Sequence, residues 1–123
     1  MENKEIINLV NIMYGHFFKV IELHWNTKNQ AEHLLTSDIY SSIVDYADKL
    51  VENCSGMYGK PGMDIMKPIK CTKTSTKDIL TELRNQALAV RNKLTKPMFN
   101  GTNVILDDLN VDLNKWIFLS ENK

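Results

Sequence analysis

His24-Trp25-Asn26-Thr27-Lys28-Asn29-Gln30-Ala31-Glu32-His33 is the stretch on which the reading of this 123-residue chain turns. An apolar helix ends at His24 and a second begins near His33, so a short connection holds two imidazoles close together. Asp48 and Glu52 follow at i, i+4 spacing, which puts both carboxylates on one helical face. Imidazoles combined with carboxylates suit a borderline divalent metal. At about 1.5 Å of rise per residue, Asp48 lies roughly 22 Å along the second helix from His33, and Glu52 lies further still. One chain therefore cannot close all four groups around one ion. A second copy, antiparallel about a two-fold axis, would bring its Asp48 and Glu52 beside the first copy's His24 and His33. The expected state is a homodimer or a higher homo-oligomer.

N-terminal to this stretch, residues 3–24 read as one long helix. Ile6, Val10, Met13, Phe17, Val20 and His24 form an inward line at i, i+3/i+4 spacing, and Ile7, Tyr14, Phe18, Ile21 and Trp25 form its neighbour. Two adjacent lines are wider than one partner helix needs, so the helix is expected to meet another subunit as well as its own bundle. His16 falls off the inward line and receives no role.

C-terminal to it, the second helix is expected from about Glu32 to Met57, with Leu35, Ile39, Ile43, Ala47, Leu50 and Cys54 inward. Ser37, Ser41, Val44, Asp48 and Ser55 share another face, small and polar, suited to close approach by a helix. Gly56 and Gly59 with Lys60-Pro61-Gly62 are expected to end this helix. Residues 58–74 read as irregular, since Pro61 and Pro68 forbid a continuous helix, and Met63, Ile65, Met66 and Ile69 offer apolar anchors. Ser75 or Thr76 caps a third helix whose inward line is Leu80, Leu83, Ala87, Val90 and Leu94, ended by Pro97 and Asn100-Gly101. A fourth helix, from about Thr102 to Ser120, turns Ile105, Leu109, Leu113, Trp116 and Ile117 inward. The reading is one all-α domain over residues 1–123, a four-helix bundle with a long crossover between helices two and three. In such ferritin-like bundles the crossover makes those two helices parallel.

Composition narrows the function. Formal net charge is zero, with 15 basic and 15 acidic residues, so no global field favours a polyanion and nucleic acid is not an expected partner. The sequence contains no run of about eighteen uninterrupted apolar residues, and Met1-Glu2-Asn3-Lys4 leads almost directly into the first helix, so neither a membrane span nor a signal peptide is expected. Cys54 and Cys71 are far apart and form no C-x-x-C motif; Cys54 reads as a buried free thiol. A reducing, cytoplasmic location follows.

The segment resembles the mini-ferritins, the DNA-binding proteins of starved cells. Their first helix ends in His-Trp-Asn, here His24-Trp25-Asn26; their second opens with a His, here His33; and their later Asp-x-x-x-Glu, here Asp48 to Glu52, comes from the partner subunit. The resemblance covers residues 5–58, with a connection about three residues shorter than the family pattern. Where the family carries an Asp one turn after the second His, this chain has Ser37, with Asp38 beside it. Tyr40, Val44-Asp45-Tyr46-Ala47-Asp48 and Val51-Glu52 look most like compact ferritin-like proteins encoded by phages and large viruses.

The resemblance implies Fe(II) oxidation by peroxide or dioxygen at an intersubunit site, for iron detoxification or storage, at one iron or a di-iron pair. His24 and His33 would be nitrogen ligands, the partner copy's Asp48 and Glu52 oxygen ligands, and Asp45 or Asp38 the replacement carboxylate of a second iron. Trp25 would line the site and limit radical escape. An intrachain di-iron centre does not fit, because Glu-x-x-His is absent from the sequence and no histidine follows His33. The competing expectation is a ferritin-like structural or adaptor protein without oxidation chemistry, as in a virion, and Ser37 favours it.

Overall fold

Asn29 and Ser75, two polar residues that each accept a hydrogen bond three residues on, set the starts of the two inner helices. The computed structural model describes residues 2–121 and contains α1 (Glu2–Asn26), α2 (Gln30–Tyr58), α3 (Thr76–Lys93), a 3-10 turn (Pro97–Phe99) and α4 (Asn100–Glu121). Among the described residues there is no strand. The Asn29 side chain accepts from Glu32 N at 2.9 Å, which starts α2 two residues earlier than the periodicity suggests. Ser75 accepts from Asp78 N at 3.1 Å, as expected of a cap. Gly59, at φ 87°, ends α2 by donating to Ser55 O. Gly56 lies inside that helix and does not terminate it.

α1 packs on α2 and α3, and α4 packs on the same two, so α1 and α4 face each other diagonally across a four-helix bundle. Leu9, Met13 and Val20 of α1 meet Ile39, Ile43 and Leu50 of α2, Leu80 and Leu83 of α3, and Leu109 and Leu113 of α4 in a common core, none more than 1% exposed. Each such side chain contributes about 1.5–3 kcal/mol by leaving water. Leu35 and Ile105, expected inward, are half-buried; Thr36 and Leu106 hold those buried positions. Asn100-Gly101 does not end α3. That helix stops at Lys93, Pro97 opens a 3-10 turn, and the turn runs into α4 with Asn100 and Gly101 in its first turn. Gly101 suits that place, since a Cβ there would sit 3.3 Å from Asn53 Nδ2 on α2.

The connection between Gly59 and Ser75 leaves α2 beside the start of α1, where Asn3 and Ile7 line a cleft with Tyr58 and Pro61. It reaches α3 beside the start of α2, where Thr76 Oγ1 donates to Glu32 Oε2 at 3.1 Å. Along the way it is pinned to α1 by one residue. Asn11 Nδ2 donates to Ile65 O at 3.1 Å, Asn11 Oδ1 accepts from Lys67 N at 2.7 Å, and Asn11 O accepts from Ile69 N at 3.0 Å. The expected apolar anchors do little of this: Met63, Met66 and Ile69 are exposed, and the fully buried side chain of the segment is Cys71. Backbone pairing holds this connection in place.

Asn3–Asn26 is long and apolar enough, by length and mean composition alone, to cross a membrane. In the bundle its Leu9–Met13–Val20 face is core.

Candidate metal centre

The three-residue link between α1 and α2 forces His24, in the last turn of α1, against His33, in the first turn of α2. Their rings stack with centroids 3.9 Å apart and planes 19° from parallel. Each ring is fixed through the other residue's backbone. His24 Nδ1 lies 2.9 Å from His33 O, and His33 Nδ1 lies 3.1 Å from His24 O. A carbonyl oxygen can only accept, so both Nδ1 atoms carry a proton, and each neutral ring keeps its lone pair on Nε2. Carbonyl-locked Nδ1–H with a free Nε2 is the arrangement that holds a metal-ligating histidine in one tautomer.

Thr36 and Tyr40 complete the support. Thr36 Oγ1, fully buried, sits 3.1 Å from His24 Nδ1 and donates to Glu32 O at 2.8 Å. The Tyr40 ring meets the His24 ring edge-on at 5.3 Å, and Phe17 backs Tyr40 at 6.1 Å. Aromatic packing on one side and backbone carbonyls on the other leave the imidazoles little rotational freedom.

The carboxylates lie elsewhere. Asp48 and Glu52 are exposed on the outer face of α2. That helix is continuous, so Asp48 stands about 22 Å from His33 along it. Asp45 is exposed two residues before Ala47 on the same helix, and exposed Asp38 lines a cleft of about 280 Å³ with Leu119 and Ser120 of α4. At about 100° per residue, Asp38 is some 140° around α2 from His33. Ser37 is half-buried, and Trp25 is 74% exposed. A single chain therefore assembles the two imidazoles and leaves all four carboxylates apart from them.

His16 was missed by the sequence reading. It is 3% exposed, with Nδ1 bonded to Ile12 O at 2.8 Å, and lies beside Cys71 of the connection and Glu82 of α3. A signal existed: Leu9, Met13, His16 and Val20 follow helical spacing, and all four are buried. The helical line through Val10 and Phe17 runs one residue to its side.

The sequence profile of a family described as a family of unknown function, DUF5856, matches residues 24–119, more than three quarters of the chain. The chain belongs to that family. The matched segment opens at His24 and includes His33, Asp48, Glu52, Cys71 and Glu82; His16 lies before it. Neither a curated protein nor a solved structure matches the chain.

Proposed function

We propose that this DUF5856 member is a ferritin-like protein that binds Fe(II) as substrate at an intersubunit site and oxidises it with peroxide or dioxygen. The observation that carries the reading is the stacked His24–His33 pair with both Nδ1 atoms held by backbone carbonyls. The bundle's connectivity supports it. A connection that leaves one end of α2 and enters α3 beside the other is the route of a ferritin-like crossover.

The surface around the pair also suits a second copy. Phe18 and Trp25 are exposed on α1, at 50% and 74%, next to half-buried Tyr14 and Ile21. Leu34 is 59% exposed on the α2 face that carries Ser41, Asp48 and Glu52. An apolar strip bordered by a small, acidic face is what a two-fold contact needs to bury Trp25 and deliver Asp48 and Glu52 to the neighbour's histidines. In that dimer His24 and His33 supply nitrogen, Asp48 and Glu52 supply oxygen, and Asp45 or Asp38 is the nearest source of the carboxylate that Ser37 lacks. Two Fe(II) each give up one electron to one hydrogen peroxide, its O–O bond breaks, and two protons complete two waters. The carboxylates favour the ferric product by charge, and the free Nε2 atoms hold the ferrous substrate.

Anaerobic Fe(II) titration followed by peroxide tests this on wild type, His33→Ala and Asp48→Ala. Each variant alone should lose fast ferric formation. In a refolded mixture, a dimer with one His33→Ala and one Asp48→Ala subunit rebuilds one intact site, so about a quarter of wild-type sites should return. No recovery in the mixture removes the intersubunit site. No saturable iron binding by the wild type leaves a ferritin-like structural or adaptor protein, the reading that Ser37 favours.

A further inference from the structure

His16, Cys71 and Glu82 come from α1, the connection and α3, and meet about two turns of α1 before His24. One potential ligand atom of each lies within 4.8 Å of the other two. His16 Nδ1 donates to Ile12 O at 2.8 Å, so the neutral ring has its lone pair on Nε2. That atom is buried. It lies 3.0 Å from Glu82 Oε1, a contact that is an ion pair only when the ring is protonated, and it makes no hydrogen bond. Cys71, 2% exposed, puts Sγ 3.9 Å from the same carboxylate oxygen, beyond a strong thiol hydrogen bond. A buried imidazole nitrogen, a buried sulfur and a carboxylate thus converge on one point, held by a 3.0 Å contact and one long thiol hydrogen bond.

We propose that these three residues form a zinc-class divalent metal site, one ion per chain, with a fourth position open to water. Bond lengths near 2.0–2.1 Å to nitrogen or oxygen and 2.3 Å to sulfur, at tetrahedral angles, separate ligands by about 3.3–3.6 Å. The observed 3.0 and 3.9 Å bracket that range, so shifts of about an ångström close the site. One nitrogen, one sulfur and one oxygen donor suit zinc, and the thiolate sets the site apart from the nitrogen–oxygen iron site proposed above. Binding exchanges the thiol proton for the metal: the S–H bond breaks, a sulfur–metal bond forms and the proton goes to solvent. An ion can enter through the cleft of about 290 Å³ where Gly15, Lys19 and Pro68 surround Cys71.

Placement says what the ion would do. His16 is on α1, Glu82 on α3, and Cys71 near the end of the connection that joins α2 to α3. The ion would fasten that connection to two helices, as a structural staple.

Cobalt(II) titration of the reduced full-length protein is the test, because only cobalt bound to a thiolate gives a strong sulfur-to-metal band in the near ultraviolet. The band should saturate at one cobalt per chain and vanish on adding zinc. It should persist in Cys54→Ser and in the His24→Ala/His33→Ala double variant, and be lost in Cys71→Ser and His16→Gln. Zinc should also raise the thermal midpoint of the wild type and leave that of Cys71→Ser unmoved. Absence of the band in the wild type overturns the proposal, with no variant needed. So does a band that survives Cys71→Ser or disappears in Cys54→Ser. The double variant loses the iron site and retains this one, so the two readings fail separately.

Discussion

A Cβ on Gly15 would lie 1.6 Å from the carbonyl oxygen of Ile69, with the carbonyl carbon at 2.6 Å. The obstruction is backbone, which cannot swing aside as a side chain does, so Gly15→Ala must push the connection off α1. Loss of stability of about 1–3 kcal/mol is expected, read as a lower urea midpoint with the slope unchanged. Asn11, four residues earlier, is 8% exposed and satisfies Ile65 O and Lys67 N with its side chain. Asn11→Ala removes two hydrogen bonds and leaves a carbonyl and an amide short of partners, for an expected loss of about 2–4 kcal/mol. Amide exchange should quicken at Lys67 and Ile69 well before the helix cores respond. Neither residue stood out in the sequence. A glycine and an asparagine inside an apolar helix read as neutral interruptions, because the partner that requires them arrives more than fifty residues later.

Helix-to-helix contacts away from the core carry their own signature. Tyr46 of α2 donates to Asp112 of α4 at 2.5 Å. Burial first, and then the carboxylate that accepts its hydrogen, push the Tyr46 phenol well above its ordinary value near 10. The folded state therefore holds this proton where the unfolded chain releases it. The contribution is complete below about pH 10 and fades as pH rises beyond, so stability should fall on the alkaline side. Tyr46→Phe should flatten that alkaline slope in urea unfolding between pH 8 and 11, and should cost about 1–2 kcal/mol at neutral pH. At this scale the sequence was most legible. Apolar periodicity located four helices, and the Ser75 cap, the Gly59 stop and the irregular stretch before α3 all followed from local chemistry. Boundaries moved where a cap or a proline acted at a distance, as with Asn29 and Pro97. The His24–His33 pair was legible because three residues join their helices. The His16–Cys71–Glu82 cluster was not, since its members share no spacing and meet only when three elements pack.

The molecule as a whole combines a packed apolar core with large apolar side chains left exposed on α1, α2 and α4. α3 and α4 carry ion pairs such as Arg91–Asp107 at 3.0 Å and Lys77–Glu121 at 3.0 Å, each worth little because it is solvent-exposed, and α4 also leaves Val104, Val111 and Phe118 exposed. The α1–α2 side shows Phe18, Trp25 and Leu34 toward the end that holds the histidine pair, with exposed Asp48 and Glu52 farther along α2. If that face joins two copies, a stable contact needs some 1,200–2,000 Å² of total buried surface, and the exposed aromatic residues would be its anchors. Phe18→Glu with Trp25→Glu puts like charges against each other across the two-fold and removes the anchors. Far-ultraviolet circular dichroism should stay near wild type, because neither side chain belongs to the core. Sedimentation velocity should show the doubly substituted chain as a monomer, and fast Fe(II) oxidation should be lost although His24, His33, Asp48 and Glu52 are all intact. Ferroxidase activity that persists in a monomer would sink the intersubunit reading. An unchanged oligomer would mean that this face is not the contact, and that the two-fold lies elsewhere on the bundle.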